Sequence, residues 1–215
     1  MSKKIVFFDL DGTILDGVSS ENAFIVHLMK HGKLKLKQYL AALFFVFNYA
    51  VRYKQNVFVK NKAYLKGLKI DDIEKIAEIF VKENLFKRIR PKLLAIIRKH
   101  KQAGDLLVLL TGSPDFLSKH LAKNLQMDLL EPTKCAKEGN AFSCNPPLQH
   151  PFAEQKLEIA QRICKEYKIN IKDCVAYGNS YNDRILLREV GYAIAVTPSR
   201  RLRKIAEQEG WEIID

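Results

Sequence analysis

The sequence predicts an α/β fold, with a Rossmann-like parallel sheet as its core and a helical segment inserted after the first strand. Short apolar runs that end in polar residues alternate with segments of helical periodicity, which is typical of a parallel sheet covered on both faces. Between the first two apolar runs, a long stretch has helical periodicity alone. The 215 residues are enough for one sizeable core and a smaller second module.

The apolar runs are predicted to be buried strands. The first ends at Asp9, the second at Thr111, the third at Gly178 and the fourth at Thr197, so each apolar run stops at a polar loop. The predicted strands are residues 4–8, 106–110, 174–177 and 192–196, with 211–214 as the candidate for a fifth.

Helices are predicted between these strands. Pro114 suits a first helical turn, and Ser199 and Gly210 suit the beginning and end of the last helix. The segment 133–144, with Gly139 near its centre, is short and resembles a β-hairpin. The predicted helices are residues 114–125, 154–167, 182–190 and 199–210.

The helical stretch after the first strand is predicted to be a separate cap. One helix is expected over residues 21–31, ending at Gly32, and another is expected to start at Asp71 with a capping-box-like pattern. We therefore expect a core domain made of residues 1–17 and 103–215, and a helical cap domain made of residues 18–102.

Composition indicates a folded protein with one strongly basic segment. The apolar share is 47% and the charged share 28%, which excludes a disordered chain. Residues 30–102 hold 19 Lys and Arg against 5 Asp and Glu, whereas the rest holds 17 against 19, so the net charge of +12 comes from this segment. The apolar run at residues 5–8 is too short for a signal peptide, which predicts a cytoplasmic protein.

The four cysteines show no C-x-x-C spacing. We expect them to be reduced thiols that pack as small apolar residues. A zinc site formed by Cys135, Cys144 and His150 is the alternative.

Residues with chemical potential follow the strands directly. Ligands of an open parallel sheet bind outside the carboxyl ends of its strands. Asp9 and Asp11, two residues apart, can serve as a nucleophile and a proton-transfer group. The run 111–113 offers a hydroxyl and amides to a phosphate oxygen, and the run 178–183 offers oxygen ligands suited to Mg²⁺. Lys156, near the start of its helix, can neutralise phosphate charge.

The order of these motifs resembles that of the haloacid dehalogenase superfamily. Asp9-Leu10-Asp11-Gly12-Thr13 after an apolar strand is similar to its first motif, and Thr111, Lys156 and Asp183 are similar to its second, third and fourth. The resemblance covers essentially the whole chain and implies the haloacid dehalogenase fold. The helical insert is similar to the cap of the phosphoserine phosphatase-like branch, subfamily IB.

The resemblance implies a phosphatase with an aspartyl-phosphate intermediate. Asp9 would attack phosphorus, and Asp11 would protonate the leaving oxygen and then deprotonate the hydrolytic water. The residues implied to bind the substrate or its phosphate are Thr111, Gly112, Lys156 and Asn182. The Mg²⁺ ligands implied are Asp9, Asp11 through its carbonyl, Asn179 and Asp183. The chain departs from the family pattern at Asn179, where an Asp is usual, so we expect a larger share of the coordination to fall to Asp183.

The substrate is expected to be a small phosphorylated metabolite or a lipid head-group phosphate. An ungapped count places Val18 and about Asn61 where phosphoserine phosphatases have an acid and an Arg, which disfavours phosphoserine, although Glu21 and Lys62 stand nearby. One alternative, implied by the same resemblance, is a phosphatidylglycerophosphate-type lipid phosphatase at the membrane surface. A second is a phosphate-binding protein with weakened catalysis.

The uncharged, largely apolar stretch 38–51 within the basic segment leaves two interpretations open. It is either a buried cap helix or an interfacial helix that contacts anionic lipid, because it is shorter than a membrane span. The positive charge favours an anionic substrate or surface. Nucleic acid is not expected, because no RNA- or DNA-binding motif accompanies the charge.

Overall fold

The computed structural model describes residues 3–215, apart from the side chain of Gln55, and has an α/β architecture. Eight strands and nine α-helices are distinguished in this part of the chain, with several short 3₁₀ turns between them. The strands are β1 (Ile5–Phe8), β2 (Leu106–Pro114), β3 (Leu129–Thr133), β4 (Lys137–Glu138), β5 (Ala141–Phe142), β6 (Val175–Gly178), β7 (Tyr192–Val196) and β8 (Glu212–Ile214). The helices are α1 (Ser20–Lys30), α2 (Leu36–Tyr53), α3 (Val57–Lys60), α4 (Ile70–Phe80), α5 (Pro91–Gln102), α6 (Asp115–Asn124), α7 (Glu154–Tyr167), α8 (Arg184–Glu189) and α9 (Arg200–Glu209).

Six strands form one parallel sheet in the order β3-β2-β1-β6-β7-β8. The first strand is central, since it pairs with β2 on one side and with β6 on the other. The connections run outward in opposite directions from this strand, which creates a topological switch point at its carboxyl end. The ends of β1, β2 and β6 therefore meet at one edge of the sheet.

The residues of β1 alternate between two apolar cores. Val6 and Phe8 pack into the core on one face of the sheet, whereas Ile5 and Phe7 pack into the core on the other. All four side chains are at most 1% exposed. This double burial explains why the strand is an unbroken apolar run rather than an alternating one.

The helices inserted between β1 and β2 lie over the first of these cores. Phe24 of α1, Ile73 of α4 and Leu93 of α5 are buried in the same apolar cluster as Val6 and Phe8. Helix α2 instead packs through a separate small cluster made of Ala41, Phe45, Val57 and Ala63. The division into a core and a cap at residues 17/18 and 102/103 stays a prediction.

The α/β class with a parallel sheet is confirmed, and one strand was missed. All five predicted strands form, and the hairpin pairs β4 with β5 in antiparallel fashion. The missed strand β3 holds only two apolar residues before Glu131 and Pro132. It lies at the edge of the sheet, where a proline is tolerated because no neighbour requires its N–H.

The predicted capping box at Asp71 is wrong. Helix α4 begins at Ile70, one residue earlier, and the side chain of its N-cap residue Lys69 makes no capping hydrogen bond. Asp71 and Asp72 both lie in the first turn, where a carboxylate favours the helix through the macrodipole. The acidic pattern marks the right end of the right helix but acts by charge rather than by capping.

Candidate active site

The residues singled out in the sequence meet around one cavity at the carboxyl ends of β1, β2 and β6. The cavity has a volume of about 400 Å³, and residues of α1 and α3 form part of its wall. All eight residues predicted to bind substrate, phosphate or metal or to act in catalysis line it: Asp9, Asp11, Thr111, Gly112, Lys156, Asn179, Asn182 and Asp183. Their roles remain predictions, but their convergence is a property of the fold.

Lys156 joins the first and last of these elements. Its Nζ donates to Asp9 Oδ1 and to Asp183 Oδ1, each over 2.6 Å. Asp9 stands directly after β1, Lys156 lies in the first turn of α7, and Asp183 ends the 3₁₀ turn after β6. Lys156 and Asp183 are 5% and 4% exposed, so the two ion pairs are shielded from water and only weakly screened.

Burial and neighbouring charges shift the pKa values of Asp9, Lys156 and Asp183 in opposite directions. Burial raises the pKa of Asp9 to about 6, and Lys156 only partly offsets this effect. Burial also acts to raise the pKa of Asp183, but Lys156 and hydrogen bonds from Ser180 outweigh burial and hold this pKa below its usual value. Burial alone would lower the pKa of Lys156, yet the two carboxylates raise it well above its usual value. The lysine is therefore permanently charged, and the site holds more carboxylate than it can neutralise.

The loop after β6 approaches Asp183 closely. Asp183 Oδ2 accepts hydrogen bonds from Asn179 N at 3.2 Å, Ser180 N at 2.8 Å and Ser180 Oγ at 2.7 Å. A Cβ on Gly178 would lie 2.7 Å from the Asp183 Cβ, so only glycine leaves room for this turn. Asp183 thus binds two partners: Lys156, and the loop that carries Asn179.

Asn179 packs against the loop after β1. The Thr13 hydroxyl lies 3.1 Å from Asp9 Oδ2 and 3.4 Å from Asn179 Oδ1, and its single proton can serve one of them at a time. Thr13 is fully buried. It places the amide oxygen of Asn179 next to the Asp9 carboxylate, on the side away from Lys156.

Two serines that the sequence did not single out as site residues hold the Asp11 carboxylate. Ser20, the first residue of α1, donates from its N to Asp11 Oδ1 over 2.7 Å and from its Oγ to Oδ2 over 3.0 Å. Ser113 Oγ donates to Asp11 Oδ2 over 2.5 Å. Both serines are buried. A serine seven residues after the motif carries no signal by itself, because only the fold brings the start of α1 back to the strand end.

The predicted phosphate-binding residues form another wall of the cavity. Thr111 is 1% exposed and its Oγ1 accepts a hydrogen bond from Ser113 N over 3.0 Å, which shapes the loop at the end of β2. Gly112 continues that loop, and Asn182 stands opposite on the turn after β6. These groups face the cavity from two sides of Asp9.

His150 is a further polar residue of the cavity wall. Thr133 Oγ1 lies 2.6 Å from the Gly112 carbonyl oxygen and 2.7 Å from His150 Nδ1. The carbonyl can only accept, so Thr133 donates to it and accepts from His150 Nδ1–H. This assigns the neutral tautomer with an unprotonated Nε2, which is buried and has no partner among residues 3–215.

Burial, followed by repulsion from Lys62, Lys60 and Lys156, lowers the pKa of His150 to about 3. His150 therefore stays neutral across the physiological range and offers a lone acceptor nitrogen beside the strand ends. The sequence signal was weak, because a single histidine in a loop has no motif around it.

A family model described as haloacid dehalogenase-like hydrolase matches residues 6–188 of the chain. The protein belongs to this hydrolase family. The matched region includes every strand that supplies a site residue, from β1 to the turn after β6, and the resemblance inferred from the motifs is thereby confirmed.

Relatives agree with this assignment. The phosphoserine phosphatase SerB1 of Mycobacterium tuberculosis is 26% identical, and the alignment covers 97% of this chain and 70% of the relative. A histidinol-phosphatase of Neisseria meningitidis is 25% identical, with 99% of both chains covered. A substrate-bound phosphoserine phosphatase structure superposes with a TM-score of 0.65 at 20% identity and covers 100% of this chain and 93% of its own. The structural likeness shows that the two proteins share a fold.

The haloacid dehalogenase fold positions an ion pair at the outer wall of the cavity. Glu21, a cavity residue, pairs with Lys62 Nζ and accepts a hydrogen bond from Tyr64 OH over 2.9 Å. Lys62 is 3% exposed. Of the positions given by the ungapped count, Val18 does not line the cavity, whereas Asn61 does. The neighbouring pair, Glu21 and Lys62, is the one that the fold brings together.

The donor set around Asp9 suits a hard divalent cation. Asp9 and Asp183 share one lysine, so two carboxylates face a single positive charge. With Asn179 Oδ1 and the Asp11 carbonyl, the available donors are all oxygens, as Mg²⁺ prefers. Among residues 3–215, no three His, Cys, Asp or Glu side chains are grouped to hold a metal. Position 179 offers an amide oxygen rather than a carboxylate.

Membrane-spanning structure is a separate question from membrane contact. Among the helices of residues 3–215, none has the length and apolar character needed to cross a bilayer.

Proposed function

We propose that the protein is a Mg²⁺-dependent phosphomonoester hydrolase that acts through an aspartyl-phosphate formed on Asp9. The observation that carries this proposal is the 2.6 Å contact between Asp9 Oδ1 and Lys156 Nζ at the end of the central strand. A buried carboxylate paired with a permanent cation stays ionised and fixed in direction, and it can attack an electrophile that the same cation attracts.

In the first step, an Asp9 carboxylate oxygen forms a bond to phosphorus while the bond from phosphorus to the leaving oxygen breaks. Asp11, which enters this step in its protonated form, gives that proton to the leaving oxygen and becomes a carboxylate. In the second step, Asp11 takes a proton from water as the water oxygen attacks phosphorus, and the bond between Asp9 and phosphorus breaks to release phosphate. Ser20 and Ser113 hold the Asp11 carboxylate for both transfers.

The other cavity residues bind the phosphoryl group. Lys156, Thr111 and the Gly112 amide face it from different sides, with Asn182 on the turn after β6. Phosphoryl transfer depends mainly on positioning and charge neutralisation, and preorganised donors of this kind supply both.

Mg²⁺ would be held by Asp9, the Asp11 carbonyl, Asn179 and Asp183. When bound, it would neutralise phosphoryl charge and hold the group in line with Asp9. Because Asp183 already accepts from Lys156 and Ser180, its main contribution is to position the loop that carries Asn179.

The proposed substrate is a phosphomonoester of a small molecule or of a lipid head group. Relatives named for phosphoserine and histidinol phosphate support a small phosphorylated substrate. The Glu21 carboxylate is already engaged by Lys62 and Tyr64, so binding the amino group of serine there would require a buried ion pair to exchange. This disfavours phosphoserine. The segment 18–102, which we propose as a cap, contributes Phe58 and Val59 to the cavity wall.

Asp9→Asn tests the proposal, because an amide is nearly isosteric with the carboxylate but is a poor nucleophile. We expect hydrolysis of a generic aryl phosphate with Mg²⁺ to be lost while the circular dichroism spectrum is kept. Asp173→Asn, at an exposed position, is the matched control and should retain activity. Acid quenching of the unmodified enzyme during turnover should yield a phosphorylated Asp9 peptide by mass spectrometry. Near-normal hydrolysis by Asp9→Asn, or phosphate on another residue, would exclude the mechanism.

A phosphate-binding protein with weak catalysis is the second candidate, and the amide of Asn179 is the observation that favours it. In that case phosphate would bind in the cavity, and no aryl phosphate would be hydrolysed at any Mg²⁺ concentration. A titration of activity against Mg²⁺, paired with calorimetric binding of phosphate, separates the two functions.

A further inference from the structure

Helix α2 carries a stripe of large apolar side chains that face solvent. Leu36, Leu40, Leu43, Phe44, Phe47 and Val51 are 72, 56, 67, 62, 83 and 91% exposed. At 100° per residue these positions fall within one arc of about 100°, because their spacing follows the helical repeat. The stripe is about 22 Å long at 1.5 Å per residue.

The opposite side of α2 already has its packing partner. Gln38, Ala41 and Phe45 are buried there, against the small cluster that includes Val57 and Ala63. The helix is therefore apolar on two sides, only one of which is covered by the protein. A helix of this kind is either buried in a larger assembly or inserted into a lipid interface.

The surroundings of the stripe are basic. Lys33, Lys35 and Lys37 are exposed around its first turn, and Arg52 and Lys54 are exposed at its end. From residue 22 to residue 70 the sequence holds ten Lys and Arg and no Asp or Glu. A second copy of the chain on this face would bring like charges together, whereas an anionic surface would complement them.

A groove beside the stripe adds to its apolar area. It has a volume of about 1000 Å³ and is lined along α2 by Leu40, Leu43 and Phe44, with Lys37 and Lys66 at its border. Such a combination of apolar floor and cationic border fits hydrocarbon chains below an anionic head-group layer. Phe58, which is 70% exposed, lies on the neighbouring α3 and lines the cavity that holds Asp9.

We propose that the exposed stripe of α2 docks the protein on the surface of an anionic lipid bilayer, with the helix lying in the interface rather than across it. The apolar side chains enter the boundary between head groups and acyl chains, and the basic residues at both ends of the helix contact anionic head groups. The docking proposal rests only on the exposed surface of α2 and its basic surroundings. Only its consequence, access of the cavity to a lipid-borne phosphomonoester, rests on the proposed function.

Vesicle flotation with the full chain tests the docking without using activity. The protein should float with vesicles of equal parts phosphatidylglycerol and phosphatidylcholine in 0.1 M salt and should stay in solution with pure phosphatidylcholine. Binding should fall steeply toward 1 M salt, where the Debye length drops from about 10 Å to about 3 Å. Absence of flotation with the anionic vesicles at low salt would overturn the proposal.

Two matched pairs of variants distinguish insertion of the stripe from nonspecific apolar adsorption and from attraction by the net charge. Phe47→Gln with Val51→Gln should reduce vesicle affinity at least about tenfold, whereas Val18→Gln with Ile79→Gln, also exposed apolar positions (65% and 56%), should change it little. Lys33, Lys35 and Lys37 changed to Gln should reduce affinity at least about tenfold. The same change at the exposed Lys165, Lys168 and Lys204 removes equal charge and should have little effect.

Each alternative has its own outcome. Equal losses in the two lysine triples would mean that net charge alone drives binding, and an unchanged Phe47→Gln, Val51→Gln protein would mean that the stripe is not inserted. Concentration-dependent dimers in analytical ultracentrifugation, abolished by Phe47→Gln with Val51→Gln and combined with no flotation, would assign the face to a second copy of the chain. Circular dichroism and thermal unfolding of every variant identify any that fails to fold. If the Phe47→Gln, Val51→Gln protein fails to fold, Leu43→Gln, at a 67% exposed position of the stripe, replaces it.

Discussion

Gly12 and Asn179, which are far apart in the chain, are packed so tightly that a Cβ on Gly12 would lie 1.9 Å from Asn179 Nδ2. Gly12 also has a φ of +82°, a conformation that other residues adopt only with strain. The glycine of the first motif is therefore required twice, once for the turn after β1 and once for the approach of the loop after β6. This contact sets how near the amide oxygen of Asn179 comes to Asp9.

Gly12→Ala should damage the site more than the fold. We expect the left-handed conformation to cost about 1 kcal/mol of the free energy of unfolding, and the displaced Asn179 to raise the Mg²⁺ concentration needed for half-maximal activity. Gly32→Ala is the control, because Gly32 also has a positive φ, +62°, but has open space around its Cβ position. Chemical unfolding and Mg²⁺ titration of both variants check this. Equal effects on Mg²⁺ dependence would mean that Asn179 does not take part in metal binding.

Asn179→Asp should tighten Mg²⁺ binding by at least about tenfold, or 1.4 kcal/mol. It supplies the carboxylate that the site lacks, beside a cation that prefers hard anionic oxygens. Asn182→Asp adds the same charge within the same cavity at a position not proposed to bind the metal, and it should tighten binding less. Isothermal titration of Mg²⁺ into each protein measures the difference. If both variants gain equally, the effect is one of overall charge, and position 179 does not contact the metal.

Ser113→Ala should slow the steps that need proton transfer. It removes the 2.5 Å hydrogen bond to Asp11 Oδ2, a bond to a charged group of the kind worth about 1.5–3 kcal/mol. We expect kcat/KM, which reports transfer of the phosphoryl group to Asp9, to fall about tenfold for phosphate esters of poor leaving groups and much less for aryl phosphates whose leaving group needs no proton. Ser118→Ala, at a buried serine of α6 that donates to the Pro114 carbonyl oxygen, should lower both rates little. A uniform loss of kcat/KM over all leaving groups would show that Ser113 supports the loop rather than Asp11.

His150→Asn should make the fold less sensitive to acid. The pKa of His150 is lowered to about 3 in the folded protein, against about 6.5 for an unfolded chain. Between these values the unfolded state binds the extra proton, so the free energy of unfolding falls as the pH drops from about 6.5 toward 3. Asn cannot take up that proton but can still donate to Thr133 Oγ1.

The measurement is chemical unfolding at pH 7 and pH 4. Between pH 7 and pH 4, the free energy of unfolding of the unmodified protein should fall by on the order of 3 kcal/mol more than that of the variant. His31→Asn, at an exposed site, should behave as the unmodified protein. A variant with the same loss as the unmodified protein would show that His150 is already protonated, or becomes so without cost.

Local signals were sufficient for most of the fold. The run Ile5–Phe8 is apolar on both faces because both faces of β1 are covered, so the strand could be predicted from four residues. Helix α7 begins and ends where its periodicity predicted, at Glu154 and Tyr167. The edge strand β3 could not be predicted in this way, because Glu131 and Pro132 break the apolar pattern and only pairing with β2 makes it a strand.

The sequence by itself determined which residue types stand at the strand ends, since the motif containing Asp9 and the glycines at 12 and 178 follow from the turns that β1 and β6 require. Only the tertiary structure decided their partners. Lys156 reaches Asp9 across 147 positions of the chain, and Ser113 reaches Asp11 across 102. Contacts of this kind depend on how the sheet orders its strands and how tightly the helices pack on it, and these are sums of many small burial energies that no short stretch of sequence carries.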